Sequence, residues 1–140
     1  MKNKKQEFVL FLPGITWFTL TLFLLIIPGN KLPRITWFEF NYFDKIIHVS
    51  LFFILCLLLS LPIIKGESKK QYDLILIAIF CLVFGTSMEF VQKYFIPFRS
   101  FEVGDIIADG IGSLFGYLTS LYYIKKAPVE TGAVTKTNCL

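Results

Sequence analysis

Charge is what this chain has least of. Only 17% of its 140 residues are Asp, Glu, Lys or Arg, where a soluble domain carries about 25%. Histidine occurs once and cysteine three times. Cys56 and Cys81 fall within separate apolar runs and Cys139 near the C-terminal end. None shows metal-ligand spacing, so they read as small packing residues plus one incidental thiol, and no metal is expected. A phosphate-binding loop and a nucleophile elbow are also lacking, so no cofactor is implied. The final "NCL" is one residue short of a prenylation box. No internal repeat is visible. The net charge of +4 gathers into no basic patch, which excludes nucleic acid as a partner.

What the chain does have is apolar surface. It is 55% hydrophobic with sixteen Phe, and its mean hydropathy is +0.66. A soluble core this small has no place for that much apolar material. Four apolar runs follow one another: residues 8–30 without a charge, 46–64 with one ionisable group (His48), 74–88 uncharged, and 106–124 with one charge (Asp109). A bilayer takes roughly 20 helical residues to cross, and backbone polar groups in lipid must be satisfied within the segment. The expected fold is therefore an all-α membrane protein, a four-transmembrane-helix bundle with helices near 8–28, 44–64, 72–95 and 103–124. Residues 1–124 form the membrane domain and 125–140 a polar tail. The first run resembles an uncleaved signal anchor, with Pro13 and Gly14 near its start, where proline is tolerated.

Basic residues set the expected orientation. Lys2, Lys4, Lys5, Lys65, Lys69, Lys70, Lys125, Lys126 and Lys136 fall on one side, and Lys31, Arg34, Lys45, Lys93 and Arg99 on the other. The excess on the first side places both termini and the 65–71 loop in the cytoplasm. Trp37, Tyr42, Tyr94, Phe95 and Phe98 then mark the outer interface, and Tyr72, Tyr122 and Tyr123 the inner one.

This topology gives meaning to the stretch "SMEFVQKYFIPFRSFEVGDIIADG", residues 87–110. Alternating helix direction brings Asp44, Lys45 and His48 of the second helix, Glu89 and Gln92 of the third, Arg99 and Ser100 of the following loop, and Asp105 and Asp109 of the fourth to one depth on the outer side. Asp44 and His48 share a helix face at i,i+4, as do Glu89 and Gln92 at i,i+3. Asp105, Asp109, Gly112 and Gly116 form one stripe, and the G-x-x-x-G within it permits close helix approach. Acids on a packing stripe face protein. An acid left in lipid costs roughly 2.5–3.5 kcal/mol on insertion scales, so Lys45, His48 and Arg99 are expected to partner the acids.

"DKIIH" at 44–48, "EFVQ" at 89–92, "PFRS" at 97–100 and "DIIADGIGSLFG" at 105–116 resemble the VanZ-like family of small bacterial membrane proteins. The resemblance implies Asp44, Lys45, His48, Glu89, Gln92, Arg99 and Asp105 as a shared polar set. It also implies residence in the bacterial cytoplasmic (inner) membrane. Its founding member is linked to low-level resistance to the glycopeptide antibiotic teicoplanin. The family usually carries Asn where this chain has Asp109.

Three functional readings follow. In the first, Asp44, Lys45, His48, Glu89, Gln92, Arg99, Ser100, Asp105 and Asp109 bind or modify a cell-envelope component: a lipid headgroup, a peptidoglycan precursor or a glycopeptide. Lys45 and Arg99 hold an anionic group and Gln92 supplies directed hydrogen bonds. In the second, a membrane enzyme uses His48 as general base and Glu89 as acid or second base on a lipid-linked substrate. In the third, the cluster only locks the helices of a structural or partner-binding protein.

Overall fold

The computed structural model describes residues 4–28, 41–65 and 71–126. Four helices account for nearly all of them: α1 Lys4–Ile26, α2 Asn41–Lys65, α3 Gln71–Phe95 and α4 Val103–Lys126, with no strand among the described residues. The expected segments 8–28, 44–64, 72–95 and 103–124 are all present, each within a few residues. Lys31, Arg34 and Trp37, the 66–70 segment, the tail from 127 including Cys139, and the side chains of Lys2, Lys4, Lys5 and Tyr42 lie outside the described residues.

The helix ends follow their sequence signals. Acids sit in the first turns of α2 (Asp44), α3 (Asp73) and α4 (Asp105), where the positive end of the helix dipole favours them. Lys65, Lys93 and the Lys125–Lys126 pair occupy the last turns. Before α4, the Asp105 amide donates to the Glu102 carbonyl at 3.0 Å. Beyond α3 the chain turns sharply, and Phe98 takes a left-handed φ of 61°. That region is costly for a non-glycine residue, by about 1–3 kcal/mol. Because α1 already begins at Lys4, Pro13 lies in its interior, followed by a buried Gly14 that brings α1 against the Leu58 carbonyl and Leu59 of α2.

Direction alternates through the bundle. Gly14 meets Leu58 while Trp17 donates to the Leu51 carbonyl at 3.1 Å, so α1 runs antiparallel to α2. Gly112 meets Val49 and Gly116 meets Cys56, so α4 runs parallel to α2. The α2–α4 pair is the most extensive in the molecule. Its basis is the small-residue stripe: a Cβ on Gly112 would strike the Val49 carbonyl oxygen, and one on Gly116 would lie 2.6 Å from Cys56 Cβ. Close backbone approach of this kind is the main source of helix association where solvent is as apolar as the side chains. Phe52, Leu55, Cys56, Cys81 and Met88 form the core between α2 and α3, with Leu25 of α1. Phe18, Phe80 and Phe84 stack along one flank.

Three helices are long and apolar enough to cross a membrane: Phe8–Ile26, Phe43–Lys65 and Gln71–Phe95, and at most 33% of any of them is buried inside the protein. Their outward apolar surface is far more than a soluble monomer presents. α4 is not among them. The expected fourth span fails on composition, because Asp109, Gly110, Gly112, Ser113, Gly116 and Ser120 dilute its apolar residues. These residues are nearly all on the face turned to protein, and Asp109, Gly112, Ser113, Gly116 and Ser120 are buried. Buried hydroxyls adapt in the way lipid requires: Ser60, Ser113 and Ser120 donate to the carbonyls of Cys56, Asp109 and Gly116, four residues back, at 2.7–2.8 Å.

Candidate functional site

The polar residues do gather at one end of the bundle. α2 begins at Asn41, so His48 lies about 10 Å down its axis at 1.5 Å per residue. Asp109 lies about 9 Å into α4 by the same measure. His48 is deeper than a helix start at Asp44 implied. His48 and Asp109 are 2% and 1% exposed. They meet at 2.8 Å, His48 Nδ1 to Asp109 Oδ1. The room for this pair comes from α3, since a Cβ on Gly85 would collide with the Asp109 carboxylate. Asp109 Oδ2 is buried without a hydrogen-bond partner.

One turn nearer the helix ends lies a second pair of contacts. Lys45 Nζ donates to Glu102 Oε2 at 3.0 Å and to Asp105 Oδ1 at 3.3 Å. The aliphatic stem of Lys45 lies over Gly104, where a Cβ would come within 2.5 Å of Cε. The other oxygen of Asp105, Oδ2, is 4.0 Å from His48 Nε2. Asp44 completes the group: one ligand atom each from Asp44, His48 and Asp105 lies within 4.8 Å of the others.

On the α3 side the polar residues satisfy backbone. Glu89, 1% exposed, accepts the Glu102 amide at 3.0 Å. Gln92 donates to the Leu25 carbonyl at 2.9 Å. Arg99 donates to the Ile27 carbonyl at 3.5 Å. Glu89 and Gln92 thus tie α3 to the α4 approach and to α1. The expected pairing of Arg99 with an acid is not made among the described residues, and Glu89 pairs with neither Arg99 nor Lys45. Both side chains meet a main-chain group first. Ser100 is exposed and stands away from these contacts. Gly112 and Gly116 pack α4 on α2 as their spacing indicated.

Sequence reasoning missed Glu102, Gly85 and Gly104. Glu102 carried a usable signal, since it lies three residues before Asp105 in the same polar stretch. The two glycines carried none, because each matters through a side chain on another helix.

An apolar groove of about 330 Å³ runs down the α2–α4 face, lined by Ile46, Val49, Ser50, Ile107, Ala108 and Ile111, with Lys45 and Gly104 at its polar end.

The bundle of apolar helices with a buried charged cluster at one end defines a polytopic membrane protein. The family model described as VanZ/LLP1 matches residues 5–125. The chain belongs to the VanZ/LLP1 family, and the match extends the resemblance from the polar stretches to nearly the whole bundle. No curated protein and no solved structure shows a significant match to it.

Proposed function

We propose that this VanZ-like membrane protein binds an amphiphilic component of the bacterial cell envelope. The polar head sits at the charged end of the bundle and the apolar chain lies in the α2–α4 groove. The observation that carries this reading is the juxtaposition of groove and cluster: Lys45 closes the apolar groove and at the same time contacts Glu102 and Asp105. A lipid or lipid-linked precursor has the matching design, one charged or hydroxylated end on one apolar chain. Lys45 is the cation at the end of the groove, and a phosphate would compete there with Glu102 and Asp105 for its ammonium, while Arg99 is turned to the Ile27 carbonyl. By family, a role in glycopeptide response is the physiological setting we favour.

The basic residues support an outward-facing cluster with both termini and the 65–71 loop in the cytoplasm of a bacterial inner-membrane protein. α4 follows α2 across the bilayer by packing its small, polar face on protein. Impermeant thiol labelling of intact cells checks this: Ser100→Cys reacts and Ser68→Cys does not, and the reverse pattern inverts the orientation.

A lock between helices is the second reading, favoured by the pairing of Glu89 and Gln92 with backbone. Native mass spectrometry of the purified protein mixed with a bacterial lipid extract separates the two. The amphiphile reading expects a retained lipid that is lost in Lys45→Ala and in Ile107→Trp, which fills the groove. Equal retention by both variants contradicts it.

A further inference from the structure

The interior corner of the cluster holds more carboxylate than its cations neutralise. Lys45 and His48 between them face four acids: Asp44, Glu102, Asp105 and Asp109. One of these, Asp109, is buried and leaves Oδ2 without a partner.

His48 is the centre of the imbalance. Its side chain is 3% exposed. In the tautomer whose Nδ1–H donates to the Asp109 carboxylate across the 2.8 Å contact, the lone pair is on Nε2. Among the described residues Nε2 has no hydrogen-bond partner, and Asp105 Oδ2 stands 4.0 Å from it. Asp44 makes no hydrogen bond or ion pair among the described residues. It lies four positions before His48 on the same helix face. Asp105 splits its oxygens, Oδ1 on Lys45 and Oδ2 toward His48. In that tautomer Nε2 carries a lone pair 4.0 Å from Asp105 Oδ2, and Asp44 completes the trio within 4.8 Å.

We propose that Asp44, His48 and Asp105 bind a divalent transition-metal ion, Mn²⁺ or Zn²⁺, and that Asp109 is the carboxylate that orients the His48 ring. Two carboxylates and one neutral imidazole balance a charge of two. An oxygen-rich set with one nitrogen suits these ions. Donors around a four-coordinate ion at 2.0–2.2 Å stand about 3.4 Å apart. The 4.0 Å from Nε2 to Asp105 Oδ2, and separations of no more than 4.8 Å within the trio, close to that value by side-chain movement of less than about 1 Å per donor. The Asp109–His48–metal chain reproduces the usual carboxylate support of a metal-bound imidazole. Three protein ligands leave a position open for a further oxygen ligand. The ion site stands apart from the amphiphile reading, because it binds metal with no lipid present.

The test uses the full-length protein in detergent, stripped with a chelator and titrated with MnCl₂ and with ZnCl₂ by calorimetry, with bound metal counted by elemental analysis. One ion per chain is expected. Asp44→Asn and His48→Gln each weaken binding at least tenfold, and Asp109→Ala weakens it about 10–100-fold, whereas Asp109→Asn, which keeps an oxygen for Nδ1–H, weakens it less. Asp73→Asn, in the first turn of α3 at the other end of the bundle, binds as the wild type does. Asp44→Asn breaks no contact within the described structure, so it guards against misfolding in the His48 variant. Asp44→His keeps the site and shifts its preference toward Zn²⁺ over Mn²⁺. An unliganded wild type, or undiminished binding by Asp44→Asn and His48→Gln, overturns the proposal.

Discussion

The two ends of the bundle both carry charge, and they carry it differently. At one end Lys65, Lys125 and Lys126 close their helices from the exposed surface, and Lys126 merely leans on Tyr122, 3.3 Å from its hydroxyl. At the other end His48, Glu89, Gln92, Asp105 and Asp109 are all buried. Charges at the first end are never taken out of water, and exposed contacts there contribute about 1 kcal/mol or less. Charges at the second end are held by specific partners, and each partner removed leaves an uncompensated group in a medium of low dielectric. Helix ends that serve only to anchor a protein need none of this. That difference is the ground on which we propose the cluster end as the binding end.

The comparison can be broken or sharpened by substitution, and the largest effect is expected between the two ends. Gly112→Leu and Gly116→Leu drive a side chain into the α2 backbone and the Cys56 side chain, so neither should yield folded protein, as read by size-exclusion elution in detergent. These glycines set the distance at which the cluster can assemble.

His48→Ala comes next. It strips Asp109 of the one hydrogen-bond partner its carboxylate has among the described residues. Breaking a buried pair on one side costs about 3–5 kcal/mol, visible as a large fall in the thermal midpoint. The Glu89 pair of variants follows. Glu89→Gln retains an acceptor for the Glu102 amide and should cost less than about 1.5 kcal/mol. Glu89→Leu leaves that amide without its acceptor and should cost about 1–3 kcal/mol. If both behave alike, the hydrogen bond to Glu102 is not what holds the 96–102 turn. The smallest effect is at the anchoring end, where Lys125→Ala should stay within about 0.5 kcal/mol. A larger loss there would erase the distinction between the ends.

Much of this arrangement was legible in the chain. Apolar runs gave the four helices because lipid leaves the backbone few alternatives. The i,i+4 spacing of Asp44 with His48 and the stripe Asp105–Asp109–Gly112–Gly116 gave the buried faces. Alternating helix direction, which is only counting, brought 44–48, 89–92 and 105–109 together. What did not show was partner choice. Asp109, not Asp44, meets the His48 ring at hydrogen-bonding distance, because Gly85 opens a space for the Asp109 carboxylate from a third helix. Arg99 reads as an acid's partner in sequence, yet the turn at Phe98 delivers it to the end of α1. In sequence α4 reads as an apolar span because its Ile and Leu residues stand out. Its glycines, serines and buried acid show in the structure that it depends on α2 instead.

Asp44 offers the most direct test of the claim that this end is a binding site and more than a lock. Its carboxylate makes no hydrogen bond or ion pair among the described residues, so a lock gains from it only the helix-dipole contribution, about 1 kcal/mol or less. The decisive measurement takes wild type and Asp44→Asn through the same two readings: thermal midpoint in detergent, and Mn²⁺ bound by the chelator-stripped protein in calorimetry. A binding site predicts an unchanged midpoint, within a few degrees for a change of about 1 kcal/mol or less, together with at least tenfold weaker Mn²⁺ binding. Undiminished binding in Asp44→Asn at an unchanged midpoint contradicts the account.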